Sequence, residues 1–390
     1  MWLVRDPLPD PPRKGEGELV AGFFQNERSM RLLEGAAGIL VIAAIFYDLF
    51  QSVILPRPAV GRLRLTPLVI RPLWRWWRWV GTRSSRMDRR ENRLAVFGPA
   101  SLIILLTFWG LSLILGYGLI FDALRDQLRT APTNFGTSLY FSATTLVPLS
   151  YGDIVPVGVP ARIVTLLESA SGVGLAALVI TLLFSLYGSF QDREELVVAL
   201  DALAGAPPSG VQILENAKDH GMPDELKQTF DDWRRWSAAV LESHLAYPLL
   251  IWFRSSHDNE AWLNSFGAVM DAATLVISTL EDVPDGPARL MSKVGGHLVE
   301  DFTWFFRLRP SGDPIVEREE FDQARDRLVK AGYRCKPPDE AWAAFSRLRS
   351  RYGSPLNQMA QFLAIIPAQW IGDRTYLPHV ARRPRPRAKR

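Results

Sequence analysis

Between two apolar runs, each long enough to cross a bilayer, lies the segment Ser138-Leu-Tyr-Phe-Ser-Ala-Thr-Thr-Leu-Val-Pro-Leu-Ser-Tyr-Gly-Asp153-Ile-Val-Pro156. Its apolar Leu139, Phe141 and Leu146, with the small Ser142 and Ala143, suit a short helix packed between other helices. A bilayer core needs roughly 20 apolar residues for a spanning helix. Three segments qualify, around 35–55, 94–121 and 161–188. Mean hydropathy over the whole chain is close to zero, at +0.02, because a second, charged and mixed half follows these runs. The expected class is therefore an all-α membrane protein joined to a soluble domain. Asp48 and Gln51 make the first run the weakest of the three, and a helix buried against the other two is the alternative reading.

Arginine sets the expected orientation. From Arg57 to Arg93 the chain carries eleven arginines against only Asp88 and Glu91, whereas the connection around Asp122, Arg125, Asp126 and Arg129 is balanced. The positive-inside rule then puts the first stretch in the cytoplasm. The expected order is an extracytoplasmic lead (1–33), a first spanning helix (34–56) and a cytoplasmic basic segment (57–93). Residues 94–188 follow as the membrane core, then a helical cytoplasmic domain (189–378) and a basic tail (379–390). This describes a multi-pass cell-membrane protein with its N-terminus outside and its C-terminus in the cytoplasm. Met1-Trp-Leu-Val-Arg-Asp-Pro holds too few apolar residues for a signal peptide, so the first span would direct insertion itself. The single cysteine, Cys335, excludes a disulfide framework and a cysteine-based metal site. The basic segment and the tail Arg382–Arg390 suit anionic lipid head groups, and no recognition fold for nucleic acid accompanies them.

Along the chain, residues 1–17 hold Pro7, Pro9, Pro11, Pro12 and Gly15 and read as a loosely attached lead. Residues 66–80 are different. At 100° per residue Arg71, Arg75 and Arg78 fall on one face and Val69, Leu73, Trp76, Trp77 and Val80 on the other, which describes a helix in the membrane interface. A core helix of a soluble domain is the competing reading. Beyond 188, helical periodicity continues until Gly205-Ala-Pro-Pro-Ser-Gly210 breaks it. From 211 to 372, turn signals such as Gly221-Met-Pro223 and Lys336-Pro-Pro338 divide an all-α domain of six or seven helices.

The segment 138–156 with its flanking runs resembles the potassium channel family of the two-span pore-loop type. The resemblance covers 94–188, and in architecture it extends to bacterial ion channels that add a leading span and a helical cytoplasmic domain. It implies an outer helix at Leu94–Phe121, a re-entrant pore helix at Asn134–Val147 that includes Thr144 and Thr145, a filter at Pro148–Asp153, and an inner helix at Pro160–Gly188. In such a filter backbone carbonyls replace the hydration shell of a cation. The implied filter residues are Pro148, Leu149, Ser150, Tyr151, Gly152 and Asp153. Tyr151-Gly152-Asp153 matches the family's Thr-Val-Gly-Tyr-Gly-Asp pattern, while Pro148 stands for threonine, Leu149 for valine and Ser150 for the first glycine. The resemblance implies passive cation transport, with potassium as the transported ion and uncertain selectivity, through a homotetramer; a non-conducting scaffold or sensor that keeps the pore fold is the alternative. It implies no cofactor, no catalysis and no resident metal.

Further residues carry two readings each. Glu168 and Asp48 are ionisable groups at membrane depth, where charge is costly. Glu168 either braces the back of the filter or faces the outer vestibule, and Asp48 is expected to pair with an arginine of the Arg57–Arg93 loop. Gly172 and Gly174 either hinge the inner helix or pack against neighbours. In the soluble half, His244–Trp262 is dense in aromatic and polar groups. A metal or phosphoester site from His244, His257, Asp258 and Asp271 is one reading. The others are a turn and cap from Ser255, His257 and Asp258 over a core of Tyr247, Trp252 and Phe253, or a surface for an unknown regulator.

Overall fold

The computed structural model describes residues 14–55, 65–83, 87–205, 207–255, 261–366 and 370. Expectations that fall on residues 1–13, on Arg57, Arg62, Arg64 and Arg86, on His257 and Asp258, and on the tail from 379 lie outside them.

Helices account for most of the described chain. α1 (Lys14–Leu49) ends in a π-helical turn at Phe50–Ile54, and α2 (Thr66–Gly81) and α3 (Met87–Ala95) precede α4 (Phe97–Ala123). The short α5 (Phe135–Leu146) lies between two-residue strands, β1 (Leu128–Arg129) and β2 (Val155–Pro156), which pair antiparallel with Leu128 opposite Pro156. α6 (Val159–Ala204) follows. Three stretches are long and apolar enough to cross a membrane: Asn26–Val53, Arg89–Ala123 and Val159–Ala204. The chain is an all-α membrane protein with an added helical domain.

α1 starts at Lys14, inside the stretch expected to be a loose lead, so lead and first span form one helix. No proline interrupts residues 13–55, and the i,i+4 pair Glu27–Arg31, at 2.8 Å, supports the helix on the lead side of the expected boundary.

The contacts divide the chain into two compact units, the first comprising Met1–Ile54, Val60–Pro67 and Ile103–Leu182. In it α1 and α4 touch where a Cβ on Gly38 would lie 2.4 Å from the Gly116 carbonyl oxygen. The buried Asp48 accepts from the Trp109 indole at 2.9 Å, from the Thr66 hydroxyl at 2.7 Å, and from the backbone N–H groups of Leu65 at 2.9 Å and Thr66 at 3.2 Å. Among the described residues its partners are thus Trp109 and the start of α2, while Arg57, Arg62, Arg64 and Arg86 of the expected loop lie outside them. Free N–H groups and the positive end of the dipole at a helix N-terminus satisfy a carboxylate.

The second unit comprises Leu55–Ala59, Leu68–Leu102 and Leu183–Arg390. Among the described residues, seven α-helices follow α6: α7 (Gly210–Asp219), α8 (Pro223–Ala246), α9 (Trp262–Ser278), α10 (Gly286–Phe306), α11 (Arg318–Lys330), α12 (Pro338–Arg349) and α13 (Gly353–Leu363). α6 stops at Ala204, where Gly205 turns with φ +75°. α2 joins this unit along Ile70, Trp74 and Gly81, which are buried, while Trp76 and Val80 of the expected interfacial face are exposed. Trp74 packs on Phe97 and Trp252, with ring centroids 4.8 Å away in each case, and its indole donates to the Phe362 carbonyl at 3.1 Å. Each such aromatic pair adds about 0.5–1.5 kcal/mol beyond area burial.

A buried polar hub ties the end of α6 to this core. The Arg193 guanidinium donates to the carbonyls of Phe253 at 2.7 Å and Leu250 at 3.3 Å and pairs with Glu194. The Trp236 indole donates to the Arg193 carbonyl at 2.9 Å. His244 lies 3.3 Å from Arg193 Nη1, and its Nδ1 is 2.8 Å from the Val240 carbonyl oxygen. Burial, with the Arg193 charge beside it, pushes the His244 pKa down from 6.5 to about 3.

Two outcomes are expected. Asp48→Ala strands four donors, the buried Trp109 indole among them, and lowers stability by about 2–4 kcal/mol, read as a lower Tm in detergent; an unchanged Tm would remove the capping role. His244 binds no proton in the folded state until the pH nears 3, whereas the unfolded chain binds one below about 6.5. Stability present above the unfolded value therefore falls with pH across that window, by about 1.4 kcal/mol per pH unit for one proton. His244→Gln should flatten the unfolding profile between about pH 6 and 4 by roughly one proton.

Candidate functional site

α5 is a short helix held on all sides. Asn134 caps it, its side chain accepting from the Thr137 N–H at 3.0 Å. Toward α4, the Ser138 hydroxyl donates to Asp122 at 2.8 Å, and Phe141 packs edge-on against Phe121 with centroids 4.7 Å apart. Toward α6, the Ser142 hydroxyl donates to Glu168 at 2.5 Å and lies 3.0 Å from the Ile114 carbonyl oxygen. Ser169 donates to the Thr145 carbonyl at 3.3 Å. Ser138 and Ser142 are four residues apart and share a face, so their hydroxyls reach carboxylates on two different helices. Glu168 is fully buried, behind α5 rather than in an outer vestibule.

Gly172 sits against the C-terminal end of α5, where a Cβ would lie 1.9 Å from the Leu146 carbonyl oxygen, whereas nothing lies within 4 Å of a Cβ on Gly174. Of the two readings for this pair, Gly172 takes the packing one. The Thr144 hydroxyl bonds within its own helix to the Phe141 carbonyl at 3.0 Å, and Thr145 is buried.

The six expected filter residues follow this helix directly. Val147 donates to the Ala143 carbonyl at 3.1 Å and Leu149 to the Thr144 carbonyl at 2.9 Å, while Pro148 between them has no N–H to give. Ser150 has φ +55° and Gly152 φ +78°. A residue with a Cβ in the left-handed region costs about 1–2 kcal/mol, so Ser150 bears at this position a strain that glycine avoids. Residues 147–153 are exposed in the single chain. Beyond them the Gln127 carbonyl accepts from Val157 at 2.9 Å and Gly158 at 3.2 Å, which returns the chain to the start of α6.

Sequence reasoning missed several supports. Tyr140 on α5 stands near enough to Asp153 for the two side chains to interact. Asp122 takes the Ser138 hydroxyl, and Tyr117 meets Ser171 at 2.9 Å. The legible signal for the first was a tyrosine one helix length before an aspartate, which is weak without the fold.

The remaining expected positions lie elsewhere. Arg71, Arg75 and Trp76 are exposed, while Arg78 and Trp77 are half-buried. The Trp77 indole donates to the Arg93 carbonyl at 2.8 Å. Asp271 is engaged by Arg349 at 2.8 Å and by the Tyr352 hydroxyl at 2.7 Å, which removes it from the metal set with His244. Among the described residues no group of three or more His, Cys, Asp or Glu could hold a metal ion. The Ser255 hydroxyl accepts from the Trp262 N–H at 3.1 Å as α9 begins, and Trp252 and Phe253 are buried, in line with the turn-and-core reading. Burial pushes the Cys335 thiol pKa up, as suits a packed side chain.

Gly172→Ala should lower Tm in detergent well beyond any effect of Gly174→Ala, since only the first must displace backbone; equal shifts would contradict the packing assignment.

Residues 102–188 match a protein family described as an ion channel. A Bacillus subtilis (strain 168) protein called uncharacterized membrane protein YdjJ is 24% identical over 207 residues, which is 51% of this chain and 58% of that protein. The chain thus spans little more than half the length of that relative. No solved structure matches. α5 and the helices that hold it thus lie inside the segment, residues 102–188, that is similar to the ion channel family.

Proposed function

We propose that the protein is a passive cation channel whose pore forms from four copies of this chain. The observation that carries the reading is the backbone after α5, with left-handed residues at Ser150 and Gly152 separated by one residue. In an extended strand successive groups alternate sides. A left-handed residue at every second position turns successive carbonyls toward one side, as a dehydrated cation requires. α5 leads into this segment with its C-terminal end, whose partial negative charge favours a cation there. Pro148, Leu149, Ser150 and Tyr151 supply the carbonyls. Asp153 raises cation concentration at the mouth.

One such segment cannot enclose an ion. Leu166, Val173 and Phe184 on α6 are 71%, 60% and 74% exposed in the single chain, so apolar surface is left for lipid or for further copies. The arginines of 57–93 support an N-terminus outside and a C-terminus in the cytoplasm. Glu168 and Ser142 brace α5 from behind, and the protein acts without catalysis or a cofactor. Potassium is the proposed ion, at reduced selectivity, because Pro148 removes a hydroxyl layer and Ser150 is strained.

Those two departures also favour a second reading, a scaffold that keeps the pore fold without conducting. Flux of potassium and sodium into liposomes holding the purified chain separates the two, with Gly152→Asp as the control. Flux in the parent that the variant abolishes supports the channel; none from a confirmed tetramer supports the scaffold. If the parent conducts, Pro148→Thr with Ser150→Gly should raise the potassium-to-sodium permeability ratio. An unchanged ratio sinks the filter assignment.

A further inference from the structure

We propose that the outward face of α2 is a binding surface for the phosphate groups of anionic phospholipid. α2 has two faces of different character. Trp74 and Trp77 turn inward and give their indole N–H groups to the carbonyls of Phe362 and Arg93. Opposite them run two exposed rows at i,i+4 spacing, which on a helix lie side by side. One is Arg71, Arg75 and Trp79, with Arg83 following in the turn after Gly81; the other is Leu68, Pro72, Trp76 and Val80. Leu68 is 70% exposed, Trp76 57% and Trp79 54%.

The charged row lacks counter-charge. α2 contains no acidic residue, and among the described residues no carboxylate pairs with Arg71, Arg75 or Arg83. Instead the Arg83 guanidinium lies 3.4 Å from the centre of the Trp79 ring, a stacked arrangement that leaves its N–H donors free for phosphate. The apolar row beside it explains why a soluble acidic ligand is the poorer fit, since Leu68, Trp76 and Val80 would stay in water. At a bilayer surface arginines reach phosphates while the neighbouring row enters the glycerol and upper acyl region. Tryptophan suits that depth, and the outward indoles of Trp76 and Trp79 are the two on this helix with no carbonyl partner described within the chain.

The position of α2 agrees. Its first residues are bound by Asp48, five residues before the end of the first apolar span at Val53. Bilayer and lipid surface therefore meet where the helix begins.

The test uses the full chain purified from micelles containing equal phosphatidylglycerol and phosphatidylcholine, with retained lipid counted by mass spectrometry. The parent should retain phosphatidylglycerol preferentially, and the preference should weaken with salt. A charged side chain near the surface changes anionic-lipid affinity by about fivefold. Arg71→Gln, Arg75→Gln and Arg83→Gln together should thus lower the ratio at least about fivefold, with an unchanged Tm because these side chains hold no ion pair in the described structure. Trp76→Ala with Trp79→Ala should reduce retention of both lipids. A triple variant that keeps the parent's ratio, or a parent that retains both lipids equally, overturns the proposal and turns this face toward an acidic protein partner.

Discussion

A chain segment that enters a bilayer must satisfy its own backbone polar groups, because hydrocarbon offers no partner. In the channel reading proposed above, α5 is the part of this protein most exposed to that demand. It is twelve residues long, too short to span, and both of its ends stop among other helices. Backbone groups there are met by the Asn134 side chain at the N-terminus, Ser142 at the Ile114 carbonyl, Ser169 at the Thr145 carbonyl and the Gln127 carbonyl at the return to α6, while Ser138 with Asp122 and Ser142 with Glu168 pair side chain to side chain. Gly172 is what lets α6 come close enough to close the C-terminal end. The geometry of residues 148–153 depends on these contacts, since that segment contributes few of its own.

The helical unit is held by a different physics. Its core is aromatic, with Trp74, Phe97 and Trp252 in mutual contact and a second cluster around Trp233, Trp236, Trp262 and Phe266. Two arginines are buried within it. Arg193 gives its donors to carbonyls and Glu194, and Arg349 gives its donors to Asp271. A buried charge is tolerated only where every donor finds an acceptor, and removing one partner of such a pair costs about 3–5 kcal/mol. Arg193 lies on α6, so the last turns of that helix are fixed in the domain core by hydrogen bonds that hydrophobic packing alone would not specify.

Much of this was legible in the sequence, and the exceptions have physical causes. Apolar runs and helix period give the three spans, α5, the continuation of α6 and the break at Gly205, because each depends on local pattern. Asp48 could be seen as an isolated charge at membrane depth, but its partners are the backbone of residues 65 and 66 and the Trp109 indole, which composition cannot indicate. Which residues of α2 turn inward was not legible for a related reason. Its five apolar positions and four tryptophans cover more than half the helix circumference, so periodicity alone does not say which tryptophan is buried; Trp74 is, because Phe97 and Trp252 come to it from distant positions. The same limit applies to Asp271, whose pairing with Arg349 spans 78 residues.

Ser150 shows how these two kinds of information combine. A glycine replaced by serine in a motif looks at first like loss of the conformation that glycine permitted. The chain nevertheless adopts φ +55° there, at a cost of about 1–2 kcal/mol. Such strain persists only where the surroundings over-determine the backbone. Here the surroundings are the end of α5, fixed by the Leu149 bond to Thr144, and the return to α6, fixed by the Gln127 carbonyl that accepts from Val157 and Gly158. The turn between them has few other ways to connect. The conformation after α5 is thus imposed from its two ends rather than encoded at its centre, which is why a degenerate motif and an intact backbone path coexist in one chain.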